Sequence, residues 1–142
     1  MKKVILAFLL GLLIYGCAEE NTVNRNEIQV TESDRVLENA FQNKISNLQV
    51  QGTGIVMKLL PDDTTGSAHQ RFILELMTKQ TLLISHNIDL AARIDTLQIS
   101  DNVEFYGEYE WNPEGGVIHW THYDPGGVHE NGWLNHNGIT YH

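Results

Sequence analysis

At 142 residues, with 18 acidic against 9 basic side chains and a formal charge of −9, the chain has room for one compact domain and not for two. That acidic balance argues against binding a phosphate backbone, which needs clustered Lys and Arg, and against a basic patch docking on anionic lipid. The single cysteine excludes an intramolecular disulfide, so stability has to come from an apolar core.

The N-terminal stretch MKKVILAFLLGLLIYGC reads as an address. Lys2 and Lys3 precede an eleven-residue apolar run, Val4 to Ile14, broken only by Gly11. At ~1.5 Å per residue a helix of that length falls well short of a ~30 Å hydrocarbon core. A cleaved signal peptide over residues 1–16 is expected instead. Small Gly16 before Cys17 marks the cut site of a bacterial lipoprotein, where the thiol takes a diacylglycerol; Tyr15 is bulky for its place in that motif. Cleavage would remove two lysines and take the charge from −9 to −11. With Ala18, not an acidic residue, after the cysteine, the expected location is the outer membrane of a Gram-negative envelope, facing the periplasm. Residues 17–32 are polar and aperiodic and are expected to be a lipid-anchored flexible tether, with residues 33–142 a single domain.

Ser33 or Asp34 can cap a helix in which Val36, Leu37, Ala40, Phe41 and Ile45 recur at three- and four-residue steps. From Leu48 the period changes to two. Leu48–Leu60 is a long first strand whose Gly52 and Gly54 permit a bulge or sharp coil. Pro61–Ser67 is a turn cluster. His69–Met77 is a second strand with Phe72, Leu74 and Leu76 on one face, and Thr81–His86 a third. Asn87–Thr96 offers a helical turn. Asn102–Trp111 is a fourth strand and Gly116–Tyr123 a fifth, separated by the Asn112–Gly115 turn; Asn137-Gly138 signals a C-terminal hairpin. The expected fold is all-β: a small five-stranded OB-like barrel with an N-terminal helix and a C-terminal hairpin. An open antiparallel sheet with the helix across one face is the alternative.

On the fourth strand, Val103, Phe105, Gly107, Tyr109 and Trp111 share the core face. A four-residue turn then sets Gly107 opposite Trp120, which points inward into the space left by the missing side chain, and puts His119 beside Glu108 on the outer face with Thr121 and Glu110. His122 falls on the other face.

Five of the seven histidines lie in the last 24 residues. Imidazole and carboxylate together suit a divalent transition metal. His69, His86, His119 and His122 with Glu108 are the candidate ligand or metal set, and His136 and His142 are taken as incidental. In an enzyme, Glu108 or Asp124 would be the general base and Arg71 an anion clamp. No nucleophile elbow, phosphate-binding glycine loop or H-E-x-x-H helix is present in the sequence. The tryptophans Trp111, Trp120 and Trp133 suit either an aromatic face or, for at least two of them, the core. His119-x-x-x-Tyr123 as a haem ligand pattern is a third option.

The stretches QGTGIVMKLLPDD, HQRFILEL, TLLISHNIDLAARI, VEFYGEYEWNPEGGVIHWTHYDP and GWLNHNG together resemble an uncharacterised family of short exported bacterial proteins, a domain of unknown function. The resemblance covers about residues 48–142. It implies a small exported domain and carries no activity to transfer. The expected function is therefore an exported, lipid-anchored binding module of unknown ligand (small molecule, envelope polymer or protein), with nucleic acid unfavoured. The alternative is a metal-dependent hydrolase, such as a phosphodiesterase, built on the His/Glu/Asp cluster.

Overall fold

The computed structural model describes residues 29–142, so the signal peptide, Cys17 and most of the tether lie outside the described residues. Within them the alternating segments become seven strands of one sheet, preceded by a helix. These are α1 (Glu32–Gln42), β1 (Leu48–Asp63), β2 (His69–Glu75), β3 (Thr81–Asn87), β4 (Asn102–Glu110), β5 (Val117–His119), β6 (Trp133–His136) and β7 (Ile139–Tyr141). β1 pairs antiparallel with both β2 and β4, β2 with β3, and β4 with β5. A short parallel pairing of β3 with β5 joins the two halves, so the ladder β1-β2-β3-β5-β4 returns to β1. One edge of β4 serves two strands: β5 pairs with Glu108–Glu110, and β6 with Val103–Tyr106. Residues 120–132 loop out between them.

The apolar faces of these strands turn to one core. Val50, Val56, Phe72, Leu74, Leu82, Ile84, Val103, Phe105, Tyr109, Ile118 and Leu134 are buried there. Each such side chain contributes roughly 1.5–3 kcal/mol of burial relative to exposure. Leu37 and Ala40 of α1 close the core from one side. The helix starts earlier than the sequence suggests, inside the stretch expected as tether. Thr31 is the cap: its hydroxyl accepts from Asp34 N (3.1 Å) while the Asp34 carboxylate accepts from Thr31 N (3.1 Å). Ile45 lies past the helix and is exposed. Trp111 ties the helix end to the end of β4, its indole N–H donating to the Phe41 carbonyl (3.0 Å) and its backbone N–H to Ser46 Oγ (2.9 Å).

Three local expectations are corrected. Gly52 is not a bulge residue: it faces Phe105 across the strands, and a Cβ there would lie 2.5 Å from the ring. The bulges of β1 fall later, between Val56 and Lys58 and between Leu60 and Asp63, and the strand runs through Pro61 to Asp63. The helical turn expected over Asn87–Thr96 is confined to Asn87–Ala91, where Ala91 N donates to the Asn87 carbonyl (3.1 Å). Asn87 Oδ1 takes the Asp89 N–H (3.0 Å), and the Gln70 side chain pairs with both the N–H and C=O of Ile94 (2.9 Å each). Those side-chain bonds satisfy the backbone without a helix. Finally, β5 ends at His119 instead of continuing to Tyr123. The two-residue C-terminal turn is as expected, with Asn137 at φ 52° and Gly138 at φ 78°.

Candidate functional site

The outward face of β4 carries Glu104, Tyr106, Glu108 and Glu110, and β5 brings His119 opposite Glu108. The turn before β5 is tightened by Asn112, whose Oδ1 accepts from Glu114 N (3.0 Å) and Gly116 N (2.8 Å). At Trp120 the backbone takes a left-handed conformation, φ 55°, and strand alternation stops. The indole therefore leaves the position expected for it. A Cβ on Gly107 would lie 2.5 Å from the His119 carbonyl and 2.9 Å from methyls of Ile118 and Thr121; these groups fill the space, and the indole does not. Thr121, expected outside, is fully buried. Trp120 instead stacks on His129, ring centres 4.1 Å apart and planes 7° from parallel. None of the three tryptophans is fully buried.

The loop over residues 120–132 is built around Asp124. Its carboxylate accepts from the backbone N–H groups of Gly126 (2.9 Å), Val128 (2.7 Å) and His129 (2.8 Å). Those three donors hold it below the usual carboxylate range. Asn131 Oδ1 takes the Asp124 N–H (2.8 Å), and Gly132 N donates to the His122 carbonyl (3.0 Å), closing the loop at its base. At Gly132 a Cβ would lie 1.9 Å from the Trp120 carbonyl, so the two ends of the loop touch backbone to backbone.

The loop delivers His129 to Glu108. His129 Nε2 lies 2.7 Å from Glu108 Oε2, and His119 Nε2 lies 3.3 Å from Oε1, so the carboxylate stands between two imidazoles. His129 Nδ1 is 2.7 Å from the Glu130 carbonyl, which can only accept, so Nδ1 carries a proton. Nε2 faces an ionised carboxylate and carries one too. Burial alone would lower the His129 pKa, but the hydrogen bond and charge of Glu108 outweigh it and hold the ring above its ordinary value. Burial likewise pulls Glu108 upward, and His129 with His119 brings it below its ordinary value. The two partners agree in direction: an imidazolium–carboxylate pair with its cation over an indole. Tyr106 OH hydrogen-bonds the Glu130 carboxylate at the edge of the same face.

Beside this pair lies a cleft of about 190 Å³, walled by His69, Leu90, His119, Trp120 and His122. His69 Nδ1 is 2.8 Å from the Ser67 carbonyl and His122 Nδ1 is 2.7 Å from the Tyr123 carbonyl. In both, Nδ1 donates to the carbonyl and Nε2 is left as the second polar atom of the ring.

The chain belongs to the DUF3465 family. The family's description is "Protein of unknown function (DUF3465)", and its profile matches residues 22–142, which include every described residue. No curated protein matches the chain.

The candidate residues divide between the two faces of the sheet. His69, His119 and His122 meet around the cleft, and Glu108 adjoins His119. His86 does not join them. It is fully buried on the core side, Nδ1 2.8 Å from Thr121 Oγ1 and Nε2 3.2 Å from the Ala92 carbonyl. Burial pushes its pKa down to about 4. Arg71 is not at the cluster: its guanidinium donates twice to the Pro61 carbonyl (3.2 and 3.0 Å). Asp124 is committed to the loop. His136, taken as incidental, is buried, with Nε2 2.7 Å from Asp101 Oδ2, and ties β6 to the segment before β4. Sequence reasoning missed His129 as a partner of Glu108. The one cue was Asp124-Pro125-Gly126-Gly127, a sequence suited to turning the chain back on itself.

Proposed function

We propose that this protein is an exported, lipid-anchored binding module of OB-like barrel form, which holds a small ligand, or one unit of an envelope polymer, in the cleft beside Trp120. The returning ladder β1-β2-β3-β5-β4, with its apolar core inside, supports the barrel. The observation that carries the binding role is the cleft itself. An indole and Leu90 supply apolar contact, and His69 and His122 each keep one ring nitrogen for hydrogen bonding to a ligand. At about 190 Å³ it is smaller than the ~300–1,000 Å³ of drug-sized sites, which favours a small or partly inserted ligand. The hydrolase alternative has less support, because Arg71 and Asp124 are engaged in holding the chain.

NMR titration of the protein in detergent, with a low-molecular-mass envelope extract as probe, tests this role. A saturable shift of the Trp120 indole N–H and His122 ring signals, lost in Trp120→Ala, is the expected result. Absence of any saturable shift, or one unaffected by Trp120→Ala, contradicts it. The anchor is tested separately. Cys17→Ser should move the protein from the membrane to the soluble periplasmic fraction, since acyl chains contribute ~0.8 kcal/mol per buried CH₂. Retention on the membrane after a salt wash would rule the lipid anchor out.

A further inference from the structure

Glu108 and Glu110 are two residues apart on β4, so both carboxylates leave the same face of the sheet. His119 stands across from Glu108 on β5. Each of the three offers one ligand atom, and these atoms lie within 4.8 Å of one another. His119 Nε2 is 3.3 Å from Glu108 Oε1 and 3.9 Å from Glu110 Oε1, yet it is buried from solvent and makes no hydrogen bond. Nε2 and the two carboxylates therefore converge on one point, where either a proton on Nε2 or a bound cation would join them.

The spacing suits a metal ion. A tetrahedral centre with bonds of ~2.0–2.2 Å has donor–donor edges of about 3.3–3.6 Å; the 3.3 Å separation falls in that range and the 3.9 Å one closes to it with a few tenths of an ångström of movement by Glu110. We propose that Glu108, Glu110 and His119 form a binding site for a divalent transition-metal ion, with zinc the best match to one imidazole and two carboxylates. His129 orients the site: it holds Glu108 Oε2, which turns Oε1 toward His119. Outer partners of this kind are what fix metal-binding carboxylates in place. His129 pairs with Glu108 alone, and the Glu110 carboxylate remains for the ion. Three protein donors leave a fourth tetrahedral position for water or an exogenous ligand. The site is distinct from the cleft reading, although His119 borders both.

Isothermal titration of the tag-free full-length protein with zinc chloride alone, after chelator dialysis, tests the proposal. One ion per chain should bind, at least about tenfold more weakly in Glu110→Gln and not measurably in His119→Gln. Glu110→Gln is isosteric on a partly exposed strand face, so it remains informative if His119→Gln fails to fold. In long-range ¹H–¹⁵N spectra, zinc should shift His119 Nε2. The double variant His69→Ala with His122→Ala should keep wild-type affinity. No binding at millimolar zinc, equal affinity in Glu110→Gln and wild type, or loss of binding in the His69/His122 double variant would each overturn the site. A chain that takes no zinc would still be judged as a ligand-binding module by the Trp120 titration.

Discussion

On the inner side of the sheet, His86 is fully buried, gives its Nε2–H to the Ala92 carbonyl and accepts the Thr121 hydroxyl at Nδ1. On the outer side, His129 lies between the Glu130 carbonyl and the Glu108 carboxylate and stacks on Trp120. The first ring hydrogen-bonds only neutral partners; burial, helped by the nearby His122 and His69, pushes its pKa down to about 4 and holds it neutral. The second is partly buried as well, but an anion faces it, and its pKa is held above the ordinary value. An anionic partner outweighs burial where the two compete, and burial decides where no anion is present. The contrast also separates positions: His86 ties Thr121 to the Ala92 carbonyl inside the sheet, while His129 ties the 120–132 loop to Glu108 on its outer face.

The two sides are divided at Gly107. Gly107→Val would drive a side chain into the His119 carbonyl and the Ile118 and Thr121 methyls, and overpacking of this kind costs about 3 kcal/mol where backbone must move. The denaturation midpoint should fall accordingly. A midpoint equal to wild type would mean that β5 does not pack over β4 as described.

His86 should make the protein acid-sensitive. Its folded pKa, about 4, lies below the unfolded value near 6.5. Between those values the unfolded chain binds a proton that the folded chain refuses, so stability falls as pH drops from 6.5 to 4 and levels off below. The loss is roughly 3 kcal/mol at most. Chemical denaturation across that range should show the slope in wild type and lose it in His86→Gln, whose amide can keep both hydrogen bonds.

The outer pair should slope the other way and by less. His129, raised, contributes fully below its unfolded pKa near 6.5 and loses its contribution as pH rises through the higher folded value. Glu108, lowered, contributes above its unfolded pKa and loses it as pH falls through the lower folded one. A double-mutant cycle of Glu108→Gln and His129→Gln should give a coupling of about 1 kcal/mol near pH 5.5, shrinking above neutrality and in salt. A coupling that grows with pH would contradict an imidazolium at His129.

Strand order, core faces and the Glu108–His119 register are legible in the sequence because alternation and turn length determine them together. Val103, Phe105 and Tyr109 can all be buried in only one phase, and the Asn112–Gly115 turn then sets β5 against β4. The site was less legible. A single left-handed residue, Trp120, ends the alternation of faces, so that Thr121 and His122 are both buried, and nothing in its side chain signals φ 55°. His129 reaches Glu108 only through the hydrogen bonds that Asp124 makes within its loop, a tertiary arrangement with no periodicity to read. The helical turn of Asn87–Thr96 stops at Ala91 for the same kind of reason: Gln70, from β2, takes both backbone groups of Ile94.

The separation of the two faces is tested most directly by the ring nitrogens themselves. Long-range ¹H–¹⁵N spectra recorded from pH 5 to pH 8 resolve the protonation state and tautomer of each histidine. His86 should remain neutral with its proton on Nε2 down to pH 5, and His129 should titrate above the ordinary histidine value, well separated from His86. Titration of both rings together near ~6.5, the value of an unperturbed histidine, would contradict the account.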